Sequence, residues 1–240
     1  MADRHMTLVE HLDELRYRIL ISLAAIAIGT AIAFWKIKPI VAYLAKPVGH
    51  LVFLSPTEAF MAYFKLAFFV GLFLASPVIL FQIWGFVSSA LKEKEQKTFL
   101  FFLPFSVILF LCGAAFAFFI VIPLALKFLI NFAGPEVLPV ISISEYLSFI
   151  TILTLIFGAV FELPVAIIIL SKLGLVTPAF LSKNRRWAIL IIFLAAAALT
   201  PTPDAFTQIL MAIPMILLYE ISIWVSRLVY VKREEIKDDA

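Results

Sequence analysis

A carboxylate at position 162 stands inside an otherwise apolar run, Gly158-Ala159-Val160-Phe161-Glu162-Leu163-Pro164. An acid at that depth in a hydrocarbon layer costs on the order of 2.5–3.5 kcal/mol on insertion scales, so such residues are functional by default. No Lys or Arg stands inside another apolar run to pair with it. Two readings are open. Glu162 either faces a groove, where a partner helix or peptide brings it a polar group, or is a protonated or hydrogen-bonded acid that fixes a kink at Pro164. A second acidic group lies near the N-terminus, in His11-Leu12-Asp13-Glu14-Leu15-Arg16-Tyr17-Arg18. At helical spacing Leu8, Leu12 and Leu15 share a face, Glu10 and Glu14 stand one turn apart, and Glu14 precedes Arg18 by four residues. The plain reading of that last pair is an i,i+4 ion pair, worth a few tenths of a kcal/mol. A third group, Lys92-Glu93-Lys94-Glu95-Gln96-Lys97, is a mixed-charge turn that solvation alone would explain. Thr200 and Gln208 are polar residues flanking Pro201-Thr202-Pro203-Asp204, and capping or backbone satisfaction is their plain reading.

Catalytic patterns do not occur. The chain holds no His-Glu-x-x-His, P-loop or Gly-x-Ser-x-Gly motif, and the intramembrane acid has no second acid placed as an aspartyl-protease partner. His5, His11 and His50 lack metal-ligand spacing, so no metal or other cofactor is expected. The single cysteine, Cys112, cannot form an intrachain disulfide and reads as a packing residue.

The elements that carry these groups follow from hydropathy. Of 240 residues 64% are apolar and 15% charged, with a mean hydropathy of +1.10; soluble domains run at about 45–50% and about 25%. Such a chain has too little polar surface to cover itself in water, which places it in a membrane. Six apolar segments are predicted, roughly 19–35, 66–90, 99–126, 147–170, 187–199 and 209–225, giving an all-α, polytopic protein forming one integral membrane domain over 1–240. A helix needs about 20 apolar residues to cross the hydrocarbon core. The first reaches that length if Arg16 and Arg18 snorkel to the interface. The last two are short: the fifth gives roughly 20 Å of helix against a core of roughly 30 Å. Either the bilayer thins there, which is the favoured reading, or the pair forms a re-entrant hairpin around Thr200–Asp204. No cleavable leader is expected, because the first apolar run lacks a small-residue cleavage pattern near its end.

Charge sets the orientation. Of the 19 Lys and Arg, fourteen fall on the side of the two termini, while Lys36, Lys38, Lys46, Lys65 and Lys127 fall on the other, which makes both termini cytoplasmic. The first external link carries apolar Val48–Leu54 and then Ser55-Pro56-Thr57-Glu58, a helix start with a hydroxyl cap and an early acid. That content predicts a packed cap. Pro77, Pro164 and Pro214 each interrupt an even-numbered span and predict kinks. They fall at different depths, and no inverted repeat is visible, which counts against the common transporter plan.

Several motifs occur in one order along the chain: His11-Leu-x-Glu14-Leu-Arg-x-Arg18, Pro56-Thr57-Glu58-x-Phe60, Pro77-x-x-x-Phe81-Gln82-x-Trp84-x-Phe86, Gly113-x-x-Phe116 and Tyr146-Leu147-Ser148-Phe149. They continue with Phe157-Gly158-x-x-Phe161-Glu162-Leu163-Pro164-Val165, Arg185-Arg186, Thr200-Pro201-Thr202-Pro203-Asp204-x-Phe206-x-Gln208 and Ala212-Ile213-Pro214-x-x-x-Leu218-Tyr219-Glu220. In that order and spacing the chain resembles the TatC family, the receptor subunits of the twin-arginine translocase, from about Leu8 to Tyr230. The resemblance implies six spans around a concave groove in the bacterial inner membrane, and a protein that is not an enzyme. It further implies capture of signal peptides carrying two consecutive arginines at the cytoplasmic face, assembly with TatA-type and TatB-type single-span partners into an oligomeric complex, and transport of folded cargo on the proton-motive force. Carried over motif by motif, Glu14 and Glu95 are the expected arginine acceptors, with Phe86 beside them. Glu95 is taken over Glu93 on register, since Lys92 and Glu93 stand where the family has an aromatic and a base. The signal's apolar stretch would run toward Glu162, and Thr200 and Gln208 would meet the partner helices. Against this stand a proton-coupled small-molecule transporter, which would use Glu162 but wants a second intramembrane polar group, and an intramembrane enzyme, which wants paired catalytic residues.

Overall fold

The computed structural model describes residues 8–89, 93–132, 134, 139–200 and 204–229, of which 8, 89 and 93–101 are described by backbone alone. Every regular element among them is helical, apart from one isolated bridge between Val52 and Ser142. The chain divides into two compact units, Met1–Phe157 and Gly158–Ala240.

The first unit begins with α1 (Leu8–Trp35), α2 (Ile37–Ala45) and α3 (Pro56–Ser89). Helices in lipid gain nothing from hiding apolar surface against each other, so they must approach closely enough for backbone packing. Here Gly29 of α1 meets Gly71 of α3: a Cβ built on Gly29 would lie 2.6 Å from the Gly71 carbonyl oxygen, and one on Gly71 would run into the Thr30 backbone. Only glycine fits either position. The outer side of α1 is left to lipid, with Leu20, Leu23, Ile28 and Ile32 all exposed.

The third span is longer than its apolar pattern and changes helical register. It runs as α4 (Glu93–Phe116), a π-helical turn (Ala117–Val121) and α5 (Ile122–Phe132). The Ile122 N–H donates to the Ala117 carbonyl, five residues back. Pro123 follows at once, and widening the turn accommodates a ring that can neither donate nor fit beneath the preceding carbonyls. The long link between α2 and α3 packs as a cap, as its apolar content predicts. Val52 pairs with the start of α6 (Ile143–Val160) through Val52 N–H to Ile141 O (3.0 Å) and Ile143 N–H to Val52 O (2.9 Å). Glu58, in the first turn of α3, accepts from the Leu54 N–H and the Ser142 hydroxyl, with the Ser144 N–H at 3.5 Å. The buried Tyr146 hydroxyl donates to the Leu44 carbonyl of α2 at 2.7 Å.

The second unit contains α7 (Leu163–Lys172), α8 (Pro178–Lys183), α9 (Arg185–Leu199) and α10 (Ala205–Val229). Its small core joins Ile167, Leu181 and Ile223. Polar pairs lock the helices around it: the Ser171 and Ser226 hydroxyls are 2.7 Å apart and buried, the Tyr219 hydroxyl donates to Leu181 O at 3.0 Å, and Arg185 meets Glu220 at 2.9 Å.

Five helical stretches among the described residues are long and apolar enough to cross a membrane: Val9–Trp35, Pro56–Ser88, Phe102–Phe132, Ile143–Lys172 and Ala205–Val229. Helix α10 corrects the expectation that the last two spans are both short. Only α9 is, at 15 residues; α10 has 25. The apolar pattern stops at Val225 because Ser226 and Arg227 follow, but Ser226 is satisfied by Ser171 and Arg227 by the Ser182 hydroxyl (3.0 Å), so the helix continues. At its other end Asp204 caps the Thr207 N–H at 2.6 Å and starts the helix at Ala205. The three even-span prolines also behave differently from one another. Helix α3 continues through Pro77, where the Ser76 hydroxyl donates to Phe73 O (2.7 Å), the carbonyl that the proline leaves without its N–H. Helix α10 continues through Pro214, and only at Pro164 does the helix itself break, at Phe161-Glu162.

Candidate peptide-binding face

The N-terminal turns of α1 lie along the C-terminal turns of α3, and side chains fix that contact. The His11 ring stacks on Phe86, with centroids 4.3 Å apart and planes 22° from parallel. One turn on, Glu14 Oε1 accepts from Arg18 Nε at 2.9 Å and from Nη2 at 2.5 Å. Both side chains are largely covered, 18% exposed for Glu14 and 20% for Arg18. The remaining arm of the guanidinium, Nη1, points at α3, where Gln82 O lies at 3.4 Å and Gln82 Oε1 at 3.3 Å. Gly85 makes room for it, since a Cβ there would overlap the guanidinium. Trp84 on the same stretch donates its indole N–H to Ser106 of α4 at 2.7 Å.

Helix α3 ends at Ser89 and α4 begins at Glu93. Glu95 is therefore in the first turn of α4, at the end of the unit that carries Phe86 and Glu14; its side chain lies outside the described residues. The sequence pattern read the Glu14–Arg18 pair correctly but missed its depth. Gln82 and Gly85 carry no charge and leave no periodic mark, and only the Trp84-Gly85-Phe86 triplet, a glycine between two aromatics, hints at a close approach.

The other candidates stand in the second unit. Glu162 takes the N-cap position of α7, in the turn closed by Glu162 N–H to Ala159 O (3.1 Å) and Ala166 N–H to Glu162 O (2.9 Å), with Pro164 in the first helical turn. Its carboxylate makes no capping hydrogen bond. Thr200 ends α9, where its hydroxyl donates to Ala197 O at 3.3 Å. Gln208 donates from Nε2 to Phe193 O at 3.0 Å, tying α10 to α9. The hydrogen bonds of both residues thus stay within the α9–α10 hairpin.

The family model described as Sec-independent protein translocase protein (TatC) matches residues 10–214. The chain belongs to the TatC family. It is 46% identical over 233 residues to the TatC protein of Carboxydothermus hydrogenoformans, an alignment covering 95% of this chain and 96% of that protein. With the TatC protein of Aquifex aeolicus it shares 43% identity over 240 residues, covering 97% and 99%. Among solved structures it resembles a crystal structure of a twin-arginine translocase receptor, TatC, with a TM-score of 0.82 at 44% identity, covering 92% of this chain and 99% of that one. A second crystal structure of the TatC receptor, in DDM, gives 0.83 at 43% identity, covering 90% and 99%. As a TatC protein it is an integral, multi-pass membrane component of a protein translocase, and the family is one of transport subunits rather than enzymes.

Proposed function

We propose that this chain is the signal-recognising subunit of a twin-arginine translocase in a bacterial inner membrane, working as one membrane domain with both termini cytoplasmic. Glu14 and Glu95 accept the two arginines of the signal peptide, and the His11–Phe86 stack forms an apolar shelf beside them. The apolar stretch of the signal enters a concave groove toward Glu162, where the break in the fourth span presents a carboxylate at membrane depth. Thr200 and Gln208 mark the face used by TatA-type and TatB-type single-span partners, with which the chain forms an oligomeric complex driven by the proton-motive force. It performs no catalysis of its own.

One observation carries the recognition step. The Glu14 carboxylate, at the end of the unit reached by Glu95, holds a guanidinium by two nitrogens of one arginine. A planar fork grips a carboxylate in a way the point charge of lysine cannot reproduce. At about 1.5–3 kcal/mol per charge-assisted bond, less where water competes, a paired signal outcompetes a single one by roughly ten- to a hundredfold. The test is co-purification of the full chain with an Arg-Arg signal peptide and with its Lys-Lys counterpart. The Arg-Arg peptide should be retained and the Lys-Lys peptide lost. Glu14→Gln combined with Glu95→Gln should release the former while the protein keeps its melting temperature. Equal retention by the double variant refutes the site.

A further inference from the structure

Glu14 is occupied at rest. Arg18 donates to its Oε1 twice, through Nε and Nη2 at 2.9 and 2.5 Å, and the third nitrogen of the same fork stands 3.3–3.4 Å from two oxygens of Gln82. The grip is lopsided. Two short bonds face the carboxylate and two long ones face the neutral oxygens of Gln82, while the absence of a Cβ at Gly85 gives Nη1 its room. Glu14 thus holds the same chemical group that an arginine signal would bring, supplied from one turn further along its own helix.

We propose that Arg18 is an internal competitor for the Glu14 seat and sets the requirement for a pair of arginines, an inference that rests on the reading of Glu14 as a signal-arginine acceptor. A first incoming arginine exchanges one guanidinium for another. To take the two Oε1 bonds the newcomer must move Arg18 off, which leaves that fork only the Gln82 oxygens its Nη1 already faces. A lone arginine therefore gains little. The second arginine does not have to displace Arg18 again, and it contributes the net attraction. A lysine at the first position fares worse, because it would trade a two-bond fork for a single ammonium contact. Selectivity for the pair then comes from what the first residue must displace as much as from what the second one gains. Gln82, Gly85 and Arg18 are positioning residues in this scheme; of these four residues only Glu14 touches the signal.

The experiment measures binding of fluorescent Arg-Arg, Arg-Lys and Lys-Arg signal peptides to the purified full chain, by anisotropy. Arg18→Gln should raise affinity for the two single-arginine peptides several-fold, to about tenfold, and raise it less for Arg-Arg, so that the ratio between paired and single signals shrinks. Gly85→Ala tests the same point with every charge in place. A methyl there overlaps Nη1, the rigid fork is pushed off Glu14, and the ratio should shrink as it does for Arg18→Gln. Arg18→Lys, a competitor without a fork, should fall between Arg18→Gln and the unaltered protein. If Arg18→Gln weakens all three peptides alike, or leaves the ratio unchanged, Arg18 merely supports Glu14 and the proposal is overturned. Should Arg18→Gln not fold, as judged by its melting curve, the Gly85→Ala ratio decides by the same criterion. The underlying reading fails separately: Glu14→Gln that binds the Arg-Arg peptide as tightly as the unaltered protein removes Glu14 from the receptor site altogether.

Discussion

At the scale of single residues, Glu14 and Glu162, two of the three acids singled out by sequence, sit in different physical settings. Glu14 is held in an ion pair in the N-terminal turns of α1, whereas Glu162 stands at the start of a helix inside an apolar span. The N-terminus of α7 carries a partial positive charge, which lowers the cost of placing an acid there. That same position also explains why the two sequence readings of Glu162 overlap. The turn at Phe161-Glu162 is built by backbone hydrogen bonds and by Pro164, so the break does not depend on the carboxylate. Glu162→Gln, which keeps the side chain's shape, should therefore change the melting temperature by no more than a few degrees, and should spare initial capture of an Arg-Arg signal. Transport of a folded cargo into membrane vesicles should fall at least severalfold. Full transport by the glutamine variant would assign Glu162 to structure alone.

At the scale of elements, two contacts fix the first unit. The Gly29–Gly71 crossing allows α1 and α3 to touch backbone to backbone, and any side chain there must push the helices apart. Overpacking typically costs about 1–3 kcal/mol where neighbours can yield, and backbone cannot. Gly71→Val should abolish recovery of folded protein in detergent, measured as the monodisperse fraction on size exclusion. Gly134→Ala, at a position with φ +78° but open space around it, should cost much less. The second contact is the Glu58 latch, which ties the start of α3 to Ser142 and Ser144 at the start of α6. Glu58→Ala strands the groups that now donate to it and should lower stability by about 1–3 kcal/mol. A fall in melting temperature of several degrees would register that loss, and no change would show that the Val52–Ser142 bridge holds the cap unaided.

Element by element, legibility followed periodicity and charge. The apolar runs, the helix start at Pro56 and the i,i+4 pair at Glu14 each leave a repeat or a composition mark; a helix lies over every run, although α3 begins ten residues before the predicted 66–90, the third span extends to Phe132 beyond the predicted 126, and α10 outruns 209–225. The Gln82–Arg18 contact, the α1–α3 glycine crossing and the π turn before Pro123 leave none, because they depend on which helix faces which, information that hydropathy does not carry. The end of α10 was misjudged for a related reason. Ser226 and Arg227 look like a terminus until Ser171 and Ser182 are seen to satisfy them.

On the scale of the whole molecule, that correction bears on how the last two helices meet the bilayer. A re-entrant hairpin requires both of its arms to be too short to cross. Helix α10, with 25 residues, is about 37 Å long and exceeds a hydrocarbon core of about 30 Å, while α9, with 15, is only about 22 Å. If α10 crosses and both termini share one side, α9 must cross as well, and a local thinning of several ångströms on its side is the smaller cost, at fractions of a kcal/mol per Å. The exposed side chains of α9 fit that placement, with Trp187 at one end and Ile191 and Leu194 facing outward between. The connection between α9 and α10 should then reach the external water. In a functional background with Cys112 replaced by serine, Thr200→Cys should react with a membrane-impermeant maleimide added to the external face of intact cells. Cysteines placed at Lys94 and Lys183 should stay unreactive until the membrane is opened, and one at Lys46 should react from outside as Thr200→Cys does. Labelling at Lys46 but not at Thr200 would restore the hairpin, and labelling at Lys94 from outside would invert the entire orientation and with it the face on which Glu14 can meet a signal.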